Sequence, residues 1–441
     1  MIDQFNFYSF NDKSSDTIGI EDCLEAIFSI KINKIKNTSF SPIFREEKTN
    51  VLLINALYPE EYEGIDHSFN INYPSSHVYF PFCNSVASYI SKLSNKKWKI
   101  VINLSEESFK VKTEVFKQFI EILLEYNTCF KNIFFLNNDF KAYHPQLVNS
   151  GKVKVQFLNF PFFLIQETIA AKNLNLNFNF ARNYKKYERV IFPNLHLKPH
   201  KLLTLLEFYK QGLITKTNFS AIVGSFKPDK IDLKYKQSLE DFLLLAGNKN
   251  YSGDKKTWNP TTLHYYKDSI LKSSYYSSFQ VKNINGKISS SVLNEKFSLK
   301  NRDRIREVLD SKSNYHYLFL GSELCIQSET EYKENKNICP ITEKTFLPMR
   351  LGVSSVTIGC RETYKHLKNL GFYTYEDYLN FSFDSDPDEF RRINAVEYTK
   401  RLLPNLNSKE IEEIDRFNFN LFSDYSLIIK YLNSHFFKSI L

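Results

Sequence analysis

The chain has 441 residues, 42% hydrophobic and 24% charged, which excludes a disordered chain and is long enough for two domains, each burying its own core. Its formal net charge of +9 at pH 7 suits an anionic nucleotide, an anionic glycan or DNA, yet no Lys/Arg block resembles a nuclear signal or a basic tail. With 12 glycines and no Gly-rich loop, P-loop and dinucleotide-binding readings lack their phosphate cradle. The 40 Phe and 27 Tyr read as compositional bias alongside frequent Asn, Lys and Ile, not as carbohydrate stacking.

The first residues, Met1 to Asn6, have no basic flank and no long apolar core, so no secretory signal is expected. Residues 51–57, 99–104, 132–136 and 153–157 are apolar runs of strand length, and 113–126 has helical spacing. The most apolar run, 157–165, is too short to span a bilayer and contains Asn159 and Pro161. Any membrane contact is therefore expected to be peripheral. Strands separated by helices predict a parallel, Rossmann-like sheet in an α/β fold.

The basic cluster of Arg182, Lys185, Lys186 and Arg189 reads as a linker, dividing a first domain (1–183) from a second (184–441). In the second, a strand at 189–193 delivers a basic loop to an amphipathic helix, with Asn194, His196, Lys198, His200 and Lys201 at the junction. A positive loop at a helix N-terminus suits a diphosphate. Further strands are predicted at 219–223, 317–321, 324–328 and 353–358, around an irregular insert at 227–291. Residues 388–403 and 408–437 read as closing helices within 388–441.

The most informative stretch is Ser328-Glu329-Thr330 followed by Thr342-Glu343-Lys344-Thr345-Phe346-Leu347-Pro348. Glu329 ends a buried strand, where ligands bind in open α/β sheets. Thr342 is an N-cap residue, so Glu343 and Lys344 open a helix whose amides and positive dipole end face the same crevice. A ribose calls for a carboxylate acceptor, and a diphosphate for a cation and free N–H groups. The plainer reading is a capped surface helix with an ordinary Glu/Lys pair.

The block from Ile326 to Tyr378 resembles the nucleotide-binding half of fucosyltransferase-like and exostosin-like glycosyltransferases, and especially bacterial and phage-encoded relatives with an S-E-T … T-E-K-T-F-x-P … G-F-x-T-F/Y pattern. Gly371-Phe372-Tyr373-Thr374-Tyr375 supplies its last part. The resemblance implies that Glu329 and Glu343 contact the nucleotide ribose and the sugar, and that Lys344 contacts phosphate. The segment from Arg189 to Leu203 resembles the same group's strand, basic loop and helix, but has Leu195 where arginine is common and Lys198 and Lys201 in place of arginines. Lysine keeps the charge and loses bidentate geometry. The architecture implied is GT-B, two Rossmann-like domains facing a cleft.

Asp384-Ser385-Asp386 has the D-x-D form that holds a cation in another glycosyltransferase fold, but it precedes Pro387 and a predicted helix, so capping is the expected role. No metal and no cofactor are expected; lysine, arginine and helix dipoles would neutralise the leaving group. An inverting transfer needs a base on a loop of the first sheet. Candidates are Asp66, His67, Glu106, Glu107 and Asp139, with Glu106 or Glu107 preferred and His67 next. Six cysteines without C-x-x-C spacing read as buried, reduced thiols, consistent with a cytoplasmic location.

The expected activity is transfer of a sugar from a nucleoside-diphosphate sugar to a surface glycan. A phage-type enzyme modifying a hydroxymethylated base in duplex DNA is the alternative, and a non-catalytic nucleotide or nucleic-acid binding protein on the same scaffold is a third reading.

Overall fold

The computed structural model describes residues 2–10, 19–35, 48–55, 93, 98–103, 132–137, 155–174, 177–183, 186, 188–194, 199–213, 219–223, 319–329 and 339–441. The predicted helix at 113–126 and the insert at 227–291 lie outside them. No helix among the described residues is long and apolar enough to cross a membrane.

Two parallel sheets organise the chain. The first contains β1 (Phe5–Phe10), β2 (Asn33–Ile35), β3 (Thr49–Asn55), β4 (Trp98–Asn103), β5 (Ile133–Asn137) and β6 (Val155–Asn159), in the order β2-β1-β3-β4-β5-β6. Every neighbouring pair is parallel. Val51, Leu52, Leu53, Ile100, Val101 and Ile102 are all buried, as expected where helices cover both faces and each strand becomes a continuous apolar run. Those runs made β3 to β6 visible in the sequence, within two residues of their ends. Two strands and helix α1 (Ile20–Phe28) went unpredicted. β1 interrupts its aromatics with Asn6 and Ser9, and β2 is three residues long.

The second sheet contains β7 (Glu188–Asn194), β8 (Phe219–Val223), β9 (Ser322–Ser328) and β10 (Ser354–Ile358), in the order β10-β9-β7-β8, again all parallel. The strand expected at 317–321 is not one: Phe319 and Leu320 are helical and β9 starts at Ser322. Apolar character alone does not separate a buried strand from a buried helical turn.

Each sheet contains a reversal of strand order. In the first sheet the chain goes from β1 to β2 on one side and then to β3 on the other, and in the second from β7 to β8 and then across to β9. In open α/β sheets such reversals mark the strand ends where ligand crevices form, here the carboxyl ends of β1/β3 and β7/β9.

Helix α2 (Phe162–Leu174) follows the first sheet and packs against α5 (Glu343–Arg350) of the second half. Between them Arg350 Nε donates to Glu167 Oε2 at 2.5 Å, both residues being buried. Burial pushes the Glu167 carboxyl above the usual range even though Arg350 draws it down. Helices α3 (Phe178–Asn183) and α4 (Pro199–Lys210) flank β7, and α6 (Thr363–Asn369), α7 (Glu376–Leu379), α8 (Asp388–Leu402), α9 (Lys409–Asn420) and α10 (Ser426–Tyr431) follow β10. The continuous helix expected at 408–437 breaks after α9; Asp424 Oδ1 accepts from Ser426 N at 2.7 Å and starts α10 anew. A π-helical segment, Leu432–Phe437, then returns to the first sheet. There Phe437 meets Phe5, Phe7 and Phe28, and Phe436 meets Phe160, at ring-centroid distances of 5.4–6.3 Å.

The open edge of β10 is covered by two tyrosines. Tyr375 Oη accepts from Ser355 N at 3.3 Å, and Tyr364 Oη accepts from Thr357 N at 3.1 Å. Edge amides left bare would template pairing with another chain. Tyr375 also donates to Asp415 Oδ1, and Ser354 Oγ to Asp415 Oδ2, both at 2.5 Å. Burial pushes the Asp415 carboxyl up to about 6, against hydrogen bonds from Ser354 and Tyr375 and the positive charge of Arg182. The Gly-Phe-Tyr-Thr-Tyr block therefore has a packing role: Gly371 adopts φ +96°, Phe372 is core, and Tyr375 seals the strand.

Candidate functional site

The carboxyl end of the second sheet gathers most of the described residues that the sequence singled out. At the β7/β9 reversal, β7 ends at Asn194 and α4 begins at Pro199, while β9 ends beside Glu329 and α5 begins at Glu343. His200 Nε2 lies 3.0 Å from the main-chain oxygen of Glu329, joining the start of α4 to the end of β9. Two helix N-termini thus meet at one strand end, each with a positive dipole end.

Helix α5 begins as its sequence predicts, with Thr342 as N-cap in extended conformation, its hydroxyl accepting from Lys344 N at 3.4 Å. The helix ends at Leu351, followed by Gly352 at φ +66°, where an added Cβ would lie 3.0 Å from the Phe178 ring. A left-handed glycine just past a helix end leads the chain into β10.

Glu329 is fully buried. Its Oε1 accepts from Thr342 N at 2.9 Å and from Thr345 Oγ1, and its Oε2 accepts from Thr342 Oγ1 at 2.6 Å. The carboxylate expected to hold a ribose is thus turned toward the first turn of α5. Thr345, which the sequence reading did not single out, completes this arrangement. The T-x-x-T spacing of residues 342 and 345 was the signal for it, since positions three apart share a helix face.

Glu343 and Lys344 are part-exposed, and Lys344 Nζ lies 2.5 Å from Glu343 Oε1. Shielding from water pushes Glu343 up, but Lys344, and more weakly Lys201, outweigh it and hold the carboxyl below its ordinary range. Lys201 is 2% exposed in the first turn of α4. Burial and the positive end of the helix dipole both oppose a cation there. Glu343, reaching over from the other helix, is one compensating charge.

The D-x-D stretch has other work. Asp384 accepts from Tyr364 N at 2.9 Å and Lys365 N at 3.0 Å, capping α6 from about twenty residues away. Burial pushes it up to about 6. The sequence reading placed capping at the following helix instead; there Pro387 occupies the N-cap position without a side-chain bond. Asp386 Oδ2 accepts from Asn394 Nδ2 at 2.8 Å. Among the described residues no group of three His, Cys, Asp or Glu is arranged to hold a metal ion. Among the described residues Cys23, Cys325, Cys339 and Cys360 are buried and form no disulfide, and burial raises the Cys325 thiol well above its usual range.

Asp66, His67, Glu106, Glu107, Asp139 and Lys198 lie outside the described residues, as does the side chain of Asn194.

The sequence matches no protein-family profile and no curated protein. Among solved structures, the catalytic domain of starch synthase IV from Arabidopsis thaliana, bound to ADP and acarbose, overlaps 90% of this chain and 68% of its own, at 12% identity and a TM-score of 0.31. At that degree of overlap nothing about this chain's activity follows from it.

Proposed function

We propose that the chain is a GT-B type glycosyltransferase whose second half binds a nucleoside-diphosphate sugar at the β7/β9 crevice. The observation that carries this reading is the meeting of two lysine-bearing helix starts, α4 and α5, at the end of β9, where His200 Nε2 reaches Glu329 O. Helix N-termini with lysines are a general means of holding a diphosphate.

In this reading Lys344, Lys201 and the positive dipole ends of α4 and α5 face the diphosphate and stabilise its charge as the glycosidic bond breaks. His200, whose Nε2 meets Glu329 O, would line the same mouth, and Asn194 and Lys198 are proposed as further contacts from the sequence alone. Glu343, part-exposed and ionised, would take the ribose hydroxyls. No metal is required by this arrangement, because the charge that develops on the leaving group faces lysines and helix dipoles.

The acceptor would be a hydroxyl of a glycan at the first sheet. Its base, if configuration is inverted, comes from Glu106, Glu107 or His67.

Incubation with a panel of nucleoside-diphosphate sugars and candidate glycans should release nucleoside diphosphate in step with product. Nucleotide binding without turnover would assign a non-catalytic binding role. Transfer to hydroxymethylated duplex DNA, with acceptor affinity falling steeply with salt, would assign the DNA-modifying activity. Neither binding nor release would overturn the proposal.

A further inference from the structure

We infer that Glu329 is a positioning residue that fixes the two phosphate-facing helix starts, and that it does not itself touch the ribose. This rests on the donor-site reading above and changes the role of its most prominent acid.

Glu329 is the junction of four elements. Its N–H donates to Ile358 O at 3.0 Å, which ties it to the end of β10, and its carbonyl oxygen faces His200 Nε2 of α4. Its carboxylate engages one backbone amide and two hydroxyls of the first turn of α5. A carboxylate accepting a backbone N–H and two hydroxyls has most of its acceptor capacity directed into the protein. Thr342 and Thr345, which provide these donors, are 3% and 0% exposed, so the acid is closed off behind them.

The site is shaped for this side chain. A Cβ at Gly359, the residue after β10, would lie 3.4 Å from Glu329 Cγ and 2.6 Å from Thr363 Oγ1. Glycine lets β10 leave the sheet alongside Glu329. The consequence is geometric: Thr342, held on three sides, sets where Glu343 and Lys344 begin, and His200 sets where Lys201 stands relative to them. A loose start to α5 would cost the site its distance between Lys344 and Lys201. Placement errors of this kind weaken a phosphate site without removing any group that contacts the ligand.

The test separates contact from placement by comparing two probes, a nucleoside diphosphate and inorganic pyrophosphate, each titrated by calorimetry into Glu329→Gln, Glu329→Ala and Thr345→Val. Positioning predicts that both probes weaken by the same factor, about tenfold for Glu329→Ala. Glu329→Gln, which keeps one acceptor, should fall between Ala and the parent. Thr345→Val should weaken both probes too, although Thr345 faces Glu329 and not the crevice. Hydrogen exchange at the amides of residues 342–345 should accelerate in all three variants without any ligand present. A loss confined to the nucleoside diphosphate would make Glu329 a ribose contact and overturn the inference, as would unchanged affinity together with unchanged exchange. If Glu329→Ala fails to fold, Thr345→Val and Glu329→Gln decide. A parent protein that binds neither probe would remove the donor-site reading, while the exchange result would still judge the clamp.

Discussion

The two ends of the second sheet use the same device for different purposes. At the amino end, Asp415 takes hydroxyls from Ser354 and Tyr375 and joins α9 to β10; at the carboxyl end, Glu329 takes hydroxyls from Thr342 and Thr345 and joins α5 to β9. What differs is the company each keeps. Arg182 lies 3.5 Å from Asp415, and its own Nη2 is turned to Leu406 O. Beside Glu329 stand Lys201, Glu343 and Lys344, two of them part-exposed. A buried carboxylate bonded to hydroxyls is therefore not by itself the mark of a site; part-exposed charged groups at the neighbouring helix starts are the better guide.

Breaking this contrast starts with the largest effect. Asp415→Ala leaves two buried hydroxyls without their acceptor and takes the counter-charge from Arg182, and should lower stability by about 3–5 kcal/mol in urea unfolding. Nucleoside-diphosphate affinity of the folded fraction should not change. A matching loss of affinity would make the amino end part of the site.

Lys344→Ala is the converse. It should raise the transition-state barrier by roughly 2–4 kcal/mol, read as a fall in kcat/KM, while the unfolding midpoint stays near that of the parent. Unchanged kinetics would remove Lys344 from the mechanism.

Tyr364→Phe sharpens the distinction on the strand edge. It takes the acceptor from Thr357 N, a buried amide, and should cost about 2 kcal/mol of stability. Activity at saturating substrate should be retained.

The smallest effect concerns pH. Asp415 and Asp384 are both raised from 3.8 to about 6 by burial. A raised carboxyl holds its proton more tightly when folded, so its favourable contribution is complete below about pH 4 and is lost as pH rises through 6. Asp415→Asn should therefore gain stability relative to the parent as pH goes from 4 to 7, in paired urea titrations. A variant that loses stability relative to the parent over that range, or keeps pace with it, would contradict the raised value.

Much of the α/β character was legible because parallel strands buried on both faces write themselves as apolar runs, as at Val51 to Ile54 and Ile100 to Ile102. Thr342 as N-cap and Glu343 as first-turn acid were equally readable, since capping is a short-range interaction between neighbours in the chain. The strand with polar interruptions, β1, was not. Nor was the breaking of the last helix, whose π-helical end answers to aromatic contacts with Phe5, Phe7, Phe28 and Phe160.

By itself, then, the order of residues determined where apolar strands and capped helices form, because those depend on periodicity and on groups a few positions apart. Only the tertiary structure decided what each acid faces. Glu329 and Asp384 look alike as strand-end or loop carboxylates, and each is claimed by a helix that begins 14 and 21 residues away. Strand order, a property of pairings between distant segments, brought β7 and β9 together and with them the two helix starts on which the proposed chemistry rests.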